Sequence, residues 1–226
     1  LKRAKSSCFY IQGQRGLERP TSIIEEYTSY RFPIRLLMIG GDVSRETIER
    51  FREDLLDWSE SNLREFPWRD PERSPHEVMI AEILLQRTRA DNVVPIYEEF
   101  LKRYPDFDAL TELTAKEVAE LLQPLGLQNR RAESLLDIAS QIDGTAIPET
   151  REELMELPHV GLYVSGATLS FGFDRPAAIV DSNVMRVYER VFDIQERRPR
   201  NDELWAFAER VLPDDHHRQY NLAILD

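Results

Sequence analysis

The chain has 226 residues, 42% of them apolar and 31% charged, with 29 Lys or Arg against 41 Asp or Glu and a net charge of −12. That length fits one large domain or two small ones and needs no covalent staple to sustain a core. Ten Phe, eight Tyr and three Trp exclude a wholly disordered chain, and the acidic balance taken alone argues against a nucleic-acid partner, which wants a basic face.

Residues 1–43 hold scattered glycines and no clean period, and TSYRFPIRLLMIGG is mixed in character. Residues 1–44 are read as an N-terminal extension, disordered, strand-like or non-native. Met38, followed by IGGDVSRETIERF, reads like a natural protein start. From Ser44 the pattern turns helical, with Ile48, Phe51, Leu55 and Trp58 forming one apolar stripe. SPHE at 74–77 is a capping box with proline at the first helical position, and the helix it opens should turn Val78, Ala81, Leu84 and Leu85 inward. TAKE at 114–117 and TREE at 150–153 are two more boxes. Helices are expected near 91–103, 114–123, 129–142, 150–157, 161–172, 182–192 and 202–212, and strand alternation is nearly absent. The predicted fold is all-α.

The stretch LMELPHVGLYVSGATLSFG, 154–172, reads as a helix-hairpin-helix. A short helix ends at Leu157. Pro158, His159, Val160 and Gly161 make the hairpin, and a second helix starts at once. Hairpin amides and a helix N-terminus pointing one way bind phosphate without lysine. A plain αα turn with no ligand explains the same residues. Asp181, in AAIVDSNVMRVYER, is a preferred helix cap that can also face a nucleotide sugar.

The distribution of basic residues bears on the charge argument. Lysine occurs only at 2, 5, 102 and 116, and every other basic residue is arginine. Excess acid with so little lysine fits the high-salt cytoplasm of a halophile, and an ordinary acidic protein from a GC-rich genome is the alternative. At 1 M salt, charge is screened within about 3 Å, so net charge no longer excludes DNA. No run of about 18 apolar residues is present, so no membrane partner is expected. The basic N-terminus has no long apolar segment after it, so no secretory signal is read and a cytoplasmic location is the default. Cys8 is the single cysteine, which excludes a disulfide framework or a cysteine-based metal site within this chain. Adjacent His216 and His217 diverge on a helix and are read as surface residues, so no metal site is assigned.

Six ordered motifs carry a resemblance over about residues 50–226: FPWRD (66–70), AEILLQRT (81–88), GLQNRRAESL (126–135), LPHVGLYVSGA (157–167), VDSNVMRV (180–187) and YNLAILD (220–226). The chain resembles the helix-hairpin-helix (HhH-GPD) DNA glycosylase superfamily, in the endonuclease III and adenine glycosylase group. One motif departs, since LPHVG has His159 where the family has glycine, and a Cβ there is expected to strain the hairpin.

The resemblance implies two helical domains around a DNA-binding cleft: a helical domain over 66–175 with the hairpin, and a second built from 45–65 plus 176–226. It implies base excision repair of double-stranded DNA carrying a mismatched or damaged base, by a hydrolase that flips the nucleotide and cleaves its N-glycosidic bond. A monomer is expected, acting at the nucleoid. Asp181 matches the catalytic aspartate, which stabilises an oxocarbenium-like sugar or orients water. Glu82 matches a pocket glutamate that protonates or hydrogen-bonds the leaving base, with a solvent-facing helix residue as the alternative. Lyases of this group carry a lysine where this chain has Tyr163, so a monofunctional enzyme with Tyr163 shaping the base pocket is expected; core packing explains Tyr163 as well. Gln86 and Arg87 are candidates to fill the gap left by the flipped base, and Asn129 and Arg130 to touch DNA near it. Tyr163, Glu82 and Asp181 together look most like the archaeal G:T mismatch thymine/uracil glycosylases. An adenine glycosylase is the rival enzyme, with GLQNRRA against it, and a catalytically silent DNA-binding module is the rival of another class. The family also implies a [4Fe-4S] cluster on four cysteines after YNLAILD, and the sequence is expected to be a fragment ending before them, with a cluster-free relative as the alternative.

Overall fold

Ser44 opens the first helix. Its hydroxyl accepts from the Thr47 amide at 3.1 Å, and α1 then runs Arg45–Asn62. In this computed structural model residues 43–142, 146–194 and 201–226 are described. The readings of residues 1–42, including Met38 as a start and the position of Cys8, lie outside them. After α1 come a 3-10 turn at Pro67–Arg69, then α2 Pro75–Leu85, α3 Ala90–Arg103, a single turn α4 Asp108–Thr111, and α5 Ala115–Leu122. A 3-10 turn at Gln123–Leu125 leads to α6 Gln128–Ala139, α7 Arg151–Glu156 and α8 Leu162–Ala167. A π-helical turn, Thr168–Gly172, precedes α9 Ser182–Val191, α10 Asn201–Val211 and α11 His217–Leu225. Among the described residues there is no strand, so the fold is all-α as the periodicity predicts.

The caps act as read. Ser74 and Thr114 form full capping boxes with Glu77 and Glu117, and Thr150 accepts from the Glu153 amide at 3.3 Å. Each satisfies amides that the first helical turn leaves without an intrahelical partner.

The α1 stripe differs from the expectation at its far end. Ile48 is buried and Phe51 and Leu55 half-buried, but Trp58 is 42% exposed. The buried line continues instead through Ser59, whose hydroxyl accepts from Gln219 Nε2 at 2.7 Å. Leu85, expected inward, is only half-buried at the end of α2.

The helix expected over 161–172 changes form at Ala167. Thr168 Oγ1 donates to Val164 O at 2.8 Å and Ser165 Oγ to Leu162 O at 3.0 Å. Hydroxyls bonding back onto carbonyls three and four residues earlier compete with the α ladder. The Phe173 amide then reaches Thr168 O at 3.1 Å, a five-residue step, and the turn widens. Gly166 is needed in this segment, because a Cβ there would lie 2.4 Å from Ala178 O.

Two apolar cores organise the described chain. One is built from α2 through α8 and includes Tyr97, Phe100, Phe107, Leu135 and Leu154. The other gathers Ile48, Val184, Tyr188, Phe207, Val211 and Tyr220 from α1, α9, α10 and α11. A smaller cluster of Val78, Ala167, Phe171, Ile179 and Leu222 joins α2 and α8 to α11. Polar bonds reinforce this seam. Asn221 Nδ2, fully buried, donates at 2.9 Å to both Ser170 Oγ and Ala177 O. The Asp226 carboxylate accepts from both nitrogens of the Arg69 fork, at 2.7 and 2.8 Å, and from Arg64.

Candidate active site

Helix α2 is apolar on nearly every side. His76 and every residue from Val78 to Leu84 are buried. Glu82 lies inside that run, 6% exposed, so its alternative reading as a solvent-facing residue is excluded. Burial pushes its carboxyl up from 4.5 to about 7, against the hydrogen bond from Tyr163 and the positive charge of Arg69, which pull it down; the charge of Asp181 adds to the rise. At neutral pH an appreciable share of Glu82 is therefore protonated.

Tyr163 stands in the first turn of α8, directly after the hairpin. Its hydroxyl hydrogen-bonds Glu82. Burial and the two nearby carboxylates push the phenol well above 10, so Tyr163 acts as a hydrogen-bond donor and not as a base.

Asp181 caps α9. Its Oδ1 accepts from the amides of Asn183 and Val184, both at 2.8 Å, and its Oδ2 from Asn183 Nδ2 at 3.1 Å. The carboxylate is half-buried and within electrostatic reach of both Glu82 and Tyr163. Capping thus leaves the Asp181 carboxylate half-buried and open to solvent on one side. The fold brings Glu82, Tyr163 and Asp181 together from three separate motifs. Arg69 of FPWRD belongs to the same group, held by its fork on Asp226. The FPWRD motif assigns Arg69 no role by sequence alone, and an arginine after an aromatic entry motif is the signal that could have found it.

The hairpin residues separate by function. His159 and Gly161 are exposed, Pro158 is half-buried, and Val160 is buried in the first core. The Val160 amide donates to Leu157 O at 3.3 Å, so it serves the turn and not an external phosphate. Gly161 precedes α8 with no side-chain cap, which leaves the first amides of that helix to an outside acceptor. His159 has φ 63°, so the expected strain is present. Its ring Nε2 lies 2.7 Å from Asp137 Oδ2 on α6.

Gln86 and Arg87 lie exposed in the loop after α2, and Asn129 and Arg130 are exposed in the first turn of α6. Between them stands a residue that the sequence reading missed. Leu127 is 48% exposed, has φ 50° and precedes α6. A large apolar side chain held out in a left-handed turn is a surface anomaly with no signal in periodicity. His217 corrects an expectation: it is buried at the start of α11, its pKa lowered by burial, whereas His216 is exposed. Among the described residues no group of three or more His, Cys, Asp or Glu could hold a metal ion. One cysteine in the whole sequence does not supply the thiolates of a [4Fe-4S] cluster. No helix among the described residues is long and apolar enough to cross a membrane.

A buried carboxyl that titrates at about 7 beside a fixed second carboxylate is an arrangement that can separate acid work from charge stabilisation. Residues 80–213 match the family described as HhH-GPD superfamily base excision DNA repair protein. A thymine-DNA glycosylase of Aeropyrum pernix is 36% identical, over 79% of this chain and 84% of that one. A thymine/uracil-DNA glycosylase of Methanothermobacter thermautotrophicus is 33% identical, over 82% and 86%. The solved structure of a thermostable thymine-DNA glycosylase superposes with a TM-score of 0.77 at 33% identity, covering 82% of this chain and 87% of that one. The chain belongs to the HhH-GPD superfamily of base excision DNA repair proteins.

Proposed function

We propose that this protein is a monofunctional DNA glycosylase that hydrolyses the N-glycosidic bond of thymine or uracil opposite guanine in double-stranded DNA. The observation that carries this reading is a buried, protonatable Glu82, hydrogen-bonded by Tyr163, within electrostatic reach of a fixed Asp181. The similarity to proteins named thymine- and thymine/uracil-DNA glycosylases supports the choice of base.

The steps follow from the positions. The first turn of α8 holds a backbone phosphate through its amides. Leu127, with Gln86 and Arg87, enters the duplex as the base is extruded, in the manner of an apolar wedge. Protonated Glu82 donates to the leaving base as the glycosidic bond breaks, and the pair of bonding electrons departs with the base. Asp181 faces the sugar, stabilises its oxocarbenium character, orients the water that adds to C1′ and takes the proton that water gives up. A Schiff base would need an amine. The two lysines among the described residues, Lys102 and Lys116, are exposed on α3 and α5 and belong to neither hairpin nor α9. Every group in this scheme comes from one chain, so a monomer suffices. The acidic, arginine-dominated composition supports a high-salt working medium.

An Asp181→Asn variant tests the chemistry. Asparagine caps a helix about as well as aspartate, so stability should stay within about 0.5 kcal/mol. Base release should fall by about a hundredfold or more while duplex binding persists. A passive DNA-binding module would show no release before the substitution and no change after it.

A further inference from the structure

Arg131 is 2% exposed on α6, and among the described residues no carboxylate faces it. Its donors go to neutral oxygens. One terminal nitrogen donates to Leu125 O at 3.2 Å and to Gly126 O; the other donates to Thr88 Oγ1 at 2.6 Å and to Gln86 O. Its Nε is buried without a partner. A desolvated cation without an anion is an expensive way to link two segments of backbone, since apolar packing of similar volume does as well or better for stability.

What it links is specific. Gln86 and Thr88 belong to the loop between α2 and α3, and Leu125 and Gly126 to the loop between α5 and α6. In each loop a carbonyl that accepts from Arg131 immediately precedes an exposed residue in the left-handed region: Gln86 before Arg87, φ 56°, and Gly126 before Leu127, φ 50°. Thr88 Oγ1 bridges the loops again, at 3.3 Å from Leu125 O. One guanidinium therefore sets the direction of both exposed tips.

We infer that Arg131 is a positioning residue that fuses these two loops into a single preorganised wedge for the duplex. This rests on the glycosylase reading for its substrate, and on the loop geometry alone for the coupling. A rigid tip pair meets the helix with its ordering already done in the free protein, so it extrudes a nucleotide more readily than two loops that order on contact. Arg131 touches neither base nor sugar; it acts through Arg87 and Leu127.

The test uses Arg131→Lys, which keeps the charge and loses the fork, with Leu127→Ala and the double variant. Extrusion is read from the fluorescence of 2-aminopurine placed beside a tetrahydrofuran abasic analogue in duplex DNA. Release is read in single turnover from uracil opposite guanine and from uracil opposite a second tetrahydrofuran, where no pair has to be broken. Arg131→Lys should lose the fluorescence rise as Leu127→Ala does, and the double variant should be no worse than either. Release should drop about tenfold or more for the paired uracil and less than about twofold for the unpaired one. Equal losses on both substrates, or additive losses in the double variant, would show that Arg131 only supports the fold and would overturn the inference. Should Arg131→Lys not fold, Thr88→Val removes one acceptor and should give the same pattern at smaller size. The fluorescence arm does not depend on which base is excised, so a wild-type chain that releases no uracil refutes the substrate reading alone.

Discussion

Replacing Glu82 by glutamine should make the protein more stable at alkaline pH and far less active. Glu82 is 6% exposed, and burial lifts its carboxyl from 4.5 to about 7. Below pH 4.5 the group is neutral both folded and unfolded, and its ionisation costs nothing. As pH rises from 4.5 to about 7 the unfolded chain ionises while the folded chain holds its proton, so native stability is lost progressively. Above about 7 the loss is complete, and at 1.36 kcal/mol per pH unit it amounts to about 3 kcal/mol. Glutamine carries no charge and escapes this term. It still accepts the Tyr163 hydrogen bond, so its packing penalty is the same at every pH. The advantage of Glu82→Gln over wild type should therefore grow by about 3 kcal/mol between pH 4 and pH 8.5. For a chain of this size that is about 6–12 °C in Tm. Thermal unfolding at fixed salt, followed by circular dichroism at several pH values, measures it. A difference in Tm that does not change with pH would refute the assignment of a buried, raised carboxyl. Base release by the same variant should fall by about 10²–10⁴, since the proton donor is gone.

Wild-type release should fall above about pH 7 as Glu82 ionises. In Tyr163→Phe the hydrogen bond that pulls Glu82 down is lost, so that alkaline fall should move to higher pH; a fall at lower pH would reverse the assigned coupling. Gly166→Ala places a Cβ against Ala178 O and should destabilise by about 1–3 kcal/mol, read as a lower denaturation midpoint with no change in the pH profile.

Much of this molecule is legible from its sequence, for reasons that differ by residue. Ser74, Thr114 and Thr150 announce helix starts because capping is a local interaction settled within three residues. The convergence of Glu82, Tyr163 and Asp181 could be expected because each stands at a fixed place in a family motif. The misses are non-local. Trp58 belongs to the sequence stripe, yet α11 packs beside Ser59 and leaves the indole outside. The π-helical turn after Ala167 depends on hydroxyls choosing carbonyls, which no apolar period encodes. Arg131 looks like one more surface arginine in GLQNRRAESL, and only the folded chain shows both loops converging on it. His159 is legible in part: the strain at a glycine position is readable, while the contact with Asp137, distant in sequence, is not.

Direct release of a base decides the central question. The protein is mixed in high salt with duplexes carrying G:T, G:U, A:G or A:8-oxoguanine pairs, and alkali then reveals abasic sites. Cleavage after alkali at G:T and G:U alone, with no strand nicking before it, is the expected result. Release of adenine, or nicking without alkali, would contradict a monofunctional thymine/uracil glycosylase built on Glu82, Tyr163 and Asp181.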